Sequence, residues 1–163
     1  MYEKSGNGAV IVGNCVTAPF FYNTRLEETM SRREVRERIF KLLFRIEFNK
    51  KEEMPEQLKL YFEGEENRNL EKDIQAEIEE KYEDIIAGIA KLDERINEVA
   101  EGWNTTRMGK VELTILRLAC YEMDHDEKVP TGVAINEAVE LAKKFGGADA
   151  PSFVNGILAK MVR

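Results

Sequence analysis

The stretch from Val129 to Met161, VPTGVAINEAVELAKKFGGADAPSFVNGILAKM, limits the folds open to this chain more than any other. Its apolar residues recur at helical spacing twice over, with a glycine pair between the two runs. Ala134, Ala138, Leu141, Ala142 and Phe145 make one face, and Val154, Ile157, Leu158 and Met161 make the next. Pro130 and Thr131 stand where a fixed φ and a side-chain oxygen suit a helix start. Gly146 and Gly147 follow the last apolar residue of the first run, where a left-handed helix end needs no Cβ. Asp149 is then expected to cap the second helix through its carboxylate, with Pro151 in its first turn. The stretch therefore predicts two helices that meet at a tight corner.

Phe153 falls at the margin of the second apolar stripe, one turn beyond Asp149. Periodicity alone leaves two readings open. It is a boundary core aromatic, or it is a partly exposed ring beside a carboxylate, able to stack on something flat.

Helical patterns continue upstream. Val35, Ile39, Leu42, Leu43 and Ile46 follow the helical period from about Arg32 to Phe48, with Phe40, Phe44 and Phe48 in an adjoining row. Pro55 opens a short helix over Met54 to Phe62. A long helix is predicted from Leu70 to about Glu101, and another from Val111 to Met123. Trp103, in the connector GWNTTRMG, is expected to plug the core. Glu112 lies within the apolar arc of its helix, where a carboxylate must be paired, so Arg117, Arg107 or a partner protein is expected to satisfy it. The fold expected is all-α, a compact bundle of six to seven helices, with no strand of convincing length.

Residues 1–29 differ from the rest. Glycine, asparagine and proline interrupt a short apolar stretch there, and it lacks the basic leader of a signal peptide. They read as an upstream or expression-derived arm, expected to be mobile, ahead of a helical domain over residues 30–163.

Charge narrows the function. The net charge of −7 argues against a uniformly basic nucleic-acid binder, yet Ser31 to Lys51 holds eight basic residues against three acidic ones. Arg32, Arg33 and Arg36 crowd the start of the first helix, where the macrodipole disfavours cations. An uncompensated cost at a helix terminus suggests an anionic partner, with phosphate the obvious candidate. Replacing all three by Gln is expected to weaken binding of such a partner and leave folding nearly unchanged.

Much chemistry is missing. No Walker or dinucleotide-binding glycine pattern occurs, one histidine stands in an exposed-looking loop, and no nucleophile elbow is present. Cys15 and Cys120 have no metal-ligand spacing and suit a reducing cytoplasm. No apolar run approaches the roughly 20 residues of a membrane span. The residues describe a helical binding module with a basic helix start and an aromatic at a second helix start.

Residues Met30 to Met161 resemble the transcription antitermination factor NusB family. The likeness rests on the Arg-rich first helix ending in LLF, on VELTILRLACYEM, on VPTGVAINEAVELAKKFG and on SFVNGIL. It implies two small helical subdomains and a non-enzymatic factor without cofactor or metal. It implies binding of boxA-type single-stranded RNA together with the ribosomal small-subunit protein NusE, in the transcription elongation complex, chiefly during ribosomal RNA synthesis. By motif position, RNA-binding roles fall on Arg32, Arg33, Arg36, Asp149 and Phe153. A protein-partner surface falls on the helix carrying Glu112 and Arg117. The rival readings are a recognition domain detached from an RNA methyltransferase, whose catalytic domain would need a Gly-rich cofactor loop, and a helical adaptor with no RNA role.

Overall fold

Hydrophobic periodicity becomes six α-helices in the computed structural model, which describes residues 30–162. In chain order they are α1 (Arg32–Leu43), α2 (Met54–Glu63), α3 (Lys72–Val99), α4 (Lys110–His125), α5 (Thr131–Phe145) and α6 (Ala150–Met161). No strand occurs among the described residues. The arm expected over residues 1–29 lies outside them.

The first helix is shorter than its pattern. It stops at Leu43, and Phe44–Glu47 winds on as a 3-10 turn. The aromatic row survives the change. Phe40 stacks on Phe44 with centroids 5.9 Å apart, and Phe44 meets Phe48 edge-on at 5.1 Å. A 3-10 turn brings every third residue into line and cannot keep a 3.6-residue stripe buried. Phe48 accordingly ends exposed.

α3 runs unbroken through Gly88 for 28 residues, about 42 Å at 1.5 Å per residue. It buries Ile78, Tyr82, Ile85, Leu92 and Ile96, one face of an amphipathic helix. α4 is the central element. Leu113, Ile115, Leu116, Leu118, Ala119 and Cys120 are all nearly inaccessible, a pattern no surface helix sustains. It packs on α1, α3, α5 and α6, and so lies at the centre of one compact helical unit.

The α5–α6 corner forms where the sequence predicts it, by different local means. Gly146 is extended at φ −94°, not left-handed. Its lack of a Cβ serves close approach instead. A Cβ there would collide with the Cβ of Ala150 and come within 2.8 Å of the Ala142 carbonyl oxygen. Asp149 precedes α6, but its carboxylate caps nothing. The backbone carbonyl of Asp149 accepts from the Phe153 N–H at 3.0 Å instead.

Candidate nucleic-acid interface

The three arginines at the start of α1 meet three different fates. Arg36 points inward, its side chain 8% exposed, and Nε donates to both oxygens of the buried Glu122 at 3.0 and 2.9 Å. Its other arm stands 3.5 Å from Glu137 on α5. Arg32 and Arg33 remain more than half exposed, at 60% and 57%. Arg32 donates to Glu77 on α3 at 2.8 and 2.7 Å, and Arg33 to Glu137 at 2.8 and 2.6 Å.

The electrostatic cost seen in the sequence is therefore met first by carboxylates of the chain itself. Hydrogen bonding to Glu137 raises the Arg33 guanidinium, and the same contact holds Glu137 below the usual carboxylate range. Burial works to raise Glu77, and the hydrogen bonds and charges of Arg32 and Lys81 outweigh it, leaving Glu77 lowered. These partners lie 45 to 104 residues away in sequence, beyond the reach of any local pattern.

Two hollows flank the α1 start. The larger, about 1230 Å³, lies towards the start of α3 and the α4–α5 loop. Eight carboxylates and five cations line it, an unfavourable balance for phosphate. The smaller, about 240 Å³, lies between α1 and the last turns of α5, lined by Arg33, Glu37, Glu137, Glu140, Lys143 and Lys144. Contacts run in the same order along both helices: Arg33 with Glu137, Glu37 with Lys144, Phe40 with Phe145. Lys143 and Lys144 are 58% and 59% exposed and sit in the final turn of α5, where the helix dipole favours cations.

Of the sequence-predicted residues, this side exposes Arg33, while Arg36 turns inward. From Glu137, beside Arg33, to Phe145 is about 12 Å along α5. The corner and the first turn of α6 lie beyond it. Asp149 is exposed and Phe153 half-buried. Arg33 and the two lysines thus share the α1–α5 side, Asp149 and Phe153 follow in the chain at the corner and in the first turn of α6, and Arg32 pairs with α3. Lys143 and Lys144 were missed by the sequence reading. The signal available was a pair of adjacent cations just ahead of the glycine corner.

Trp103 does not plug the core, since half of its surface is exposed. It meets Phe153 edge-to-face, with centroids 5.5 Å apart and planes at 76°. Ala100 and Met108, before and after it in the loop, are buried instead.

The partner-surface residues also separate. Arg117 is buried between Asp93 and Glu47, donating to both Asp93 oxygens at 2.6 and 2.7 Å. Burial lowers its affinity for a proton, and the two carboxylates more than restore it. Arg117 therefore joins α4 to α3 and the 3-10 turn, and does not pair with Glu112. Glu112 is half-buried, its carboxylate folded against the Cα of Gly109. It has no hydrogen-bond or ion-pair partner among the described residues.

No helix among the described residues is long and apolar enough to cross a membrane, and no cluster of ligating side chains there could hold a metal ion.

A profile described as the NusB family matches residues 33–163. Transcription antitermination protein NusB of Agathobacter rectalis is 48% identical over 131 residues, covering 80% of this chain and 98% of its own length. The protein of that name from Lachnoclostridium phytofermentans is 45% identical over 133 residues, covering 82% and 99%. Among solved structures, NusB of T. maritima superposes with a TM-score of 0.73 at 30% identity, covering 81% of this chain and 90% of that one. A chain from a crystal structure of antitermination factors NusB and NusE in complex with dsRNA gives 0.69 at 26% identity, covering 80% and 94%.

Proposed function

This chain belongs to the NusB family, and on that premise we propose that it is a non-enzymatic RNA-binding antitermination factor. Together with the ribosomal small-subunit protein NusE it holds boxA-type single-stranded RNA, and it keeps the elongation complex processive on ribosomal RNA operons. The observation that carries this reading is the track of exposed cations leading to an aromatic ring. Arg32 and Arg33 on α1 and Lys143 and Lys144 on α5 are its exposed cations, each also paired with a carboxylate of the chain, and Phe153 on α6 is its ring. Cations at intervals neutralise successive phosphates, and a ring at the end stacks an unpaired base. A span of more than about 12 Å suits several nucleotides, at roughly 3.4 Å per stacked nucleotide. The structural relative crystallised with NusE and dsRNA supports an RNA partner and NusE.

Within this reading Arg36 and Arg117 are positioning residues. Arg36 holds the α1 start against α4 and α5, so that Arg32 and Arg33 project outward. Arg117 fixes α4 beneath the surface on which the unpaired Glu112 awaits a basic group of the partner protein. Asp149 stands at the bend of the track, an acceptor for base N–H groups near the Phe153 ring.

The test is titration of a boxA-type RNA with and without NusE, for the wild type and for variants of the track. Arg32→Gln with Arg33→Gln, and separately Lys143→Gln with Lys144→Gln, should each weaken binding. Each lost phosphate contact should flatten the salt dependence by roughly 0.7 in slope. Unchanged affinity and slope in both pairs would refute the track. Absence of RNA binding with and without NusE would favour a helical adaptor instead.

A further inference from the structure

The α3–α4 loop, Ala100–Gly109, presents the single tryptophan of the sequence in a position its neighbours enforce. Ala100, Thr105 and Met108 are buried on either side of it, at 4%, 7% and 5% exposure. Thr105 is further anchored by its backbone N–H, which donates to Asn97 Oδ1 at 2.8 Å. Between the anchors the chain reverses. Gly102 takes φ +76°, a conformation most side chains resist, and the Trp103 N–H donates to the Ala100 carbonyl at 2.8 Å. A loop pinned at both ends and turned this way holds the indole out. An indole is the largest apolar group a chain can bury, so holding it 51% exposed forgoes stability.

We infer that Trp103 is a second stacking surface for single-stranded RNA, so that the α3–α4 loop and the start of α6 together take two bases turned away from one another. The inference rests on the RNA-binding reading above and extends it to a residue outside the basic track. Its geometry is that of the ring pair. Phe153 and Trp103 lie at 76°, so no two parallel, stacked bases can use both rings. A strand engaging both must unstack and splay its bases, which single strands do readily and a duplex does not. The loop carries charge for the intervening backbone. Arg107 is exposed, and its guanidinium has no hydrogen bond or ion pair among the described residues. Lys160 on α6 is 42% exposed beside Glu101 at the loop's start. Exposed aromatic rings with cations on the same elements form a stacking platform for a polyanion.

The sole tryptophan also supplies the assay. A short single-stranded boxA-type RNA is titrated into the full chain while indole emission is followed. Affinity is measured in parallel on end-labelled RNA in the presence of NusE, with thermal unfolding as a control. RNA should quench the emission, and a duplex of the same sequence should quench it far less. Trp103→Leu should weaken RNA binding roughly 5- to 150-fold, the fold-change of losing one stacked base. Trp103→Phe should recover most of the affinity. Two results overturn the inference while leaving RNA binding itself intact. One is wild-type affinity in Trp103→Leu with no quenching in the parent. The other is a Trp103→Leu variant that loses NusE binding but keeps RNA affinity, which would make the indole a protein contact. An inability of the wild type to bind RNA with or without NusE would overturn this inference and the reading beneath it together.

Discussion

Arg36 ties the start of α1 to the buried Glu122, so removing its charge tests how that helix is held. The perturbation is Arg36→Met, which keeps the length and apolar stem of the side chain and removes its charge. It leaves Glu122, whose side chain is 3% exposed, without the guanidinium that donates to both its oxygens. Breaking one half of a buried ion pair costs about 3–5 kcal/mol, because the remaining charge stays in a medium that solvates it poorly. For a domain of this size each kcal/mol shifts the melting temperature by roughly 2–4 °C, so a fall of the order of 10 °C is expected. The assay is urea unfolding followed by far-UV circular dichroism, for Arg36→Met, Glu122→Leu and the double variant. Removing both charges should recover most of the loss, since a well-packed apolar pair can replace a buried ion pair at little cost. Arg33→Gln, on the exposed side, should leave the unfolding curve nearly unchanged. A loss below about 1 kcal/mol in Arg36→Met, or a double variant no better than the worse single one, would refute the assignment of Arg36 to the interior. The triple Gln replacement that the sequence alone recommends is therefore a poor probe of RNA binding. It would destabilise the helix whose surface it was meant to test, confounding folding with binding.

Two further outcomes are expected. Phe153→Leu should keep the fold and weaken RNA binding, with roughly 1–3 kcal/mol lost per unstacked base, whereas Val154→Ala, at a fully buried position, should cost about 2 kcal/mol of stability first; early unfolding of Phe153→Leu with normal RNA affinity would assign the ring to the core. Glu137, hydrogen-bonded by Arg33, and Glu77, paired with Arg32 and Lys81, both have lowered proton affinities when folded. Their stabilisation is present above the ordinary glutamate value of 4.5 and is lost as pH falls through the lower folded values. Urea midpoints should stay flat from neutrality to about that value and fall below it, less steeply in the Arg32→Gln, Arg33→Gln pair; midpoints already falling near neutrality would contradict the assignment.

The helices were legible because apolar spacing is a local property. α5 and α6 appear within two residues of their predicted starts, and the 28-residue α3 within two of its predicted ends. What escaped depended on groups distant in sequence. Nothing near Arg36 announces Glu122, 86 residues on, so three adjacent arginines looked alike. Trp103 was assigned to the core on its chemistry, since only the reversal at Gly102 and the buried residues beside it turn the indole outward. The carboxylate cap expected of Asp149 failed for a related reason. Its backbone already lies in the helical region, φ −90° and ψ −12°, where the side chain does not reach the next turn's N–H groups as a cap. Phe153 stayed ambiguous in the sequence because it is half-buried in fact.

The close approach at Gly146 has a mechanical consequence. With the Ala150 methyl lodged against the space a Cβ would take, the end of α5 and the start of α6 cannot hinge independently. Lys143 and Lys144 on one side and Asp149 and Phe153 on the other thereby behave as marks on a single ruler. Their separation is set during folding, before any strand arrives. A polyanion of matching spacing then binds without freezing a hinge, and one of different spacing gains nothing from flexibility. On the RNA-binding reading proposed above, selectivity for phosphate-to-base distance would then rest on one missing methyl group, at a residue that need touch no ligand.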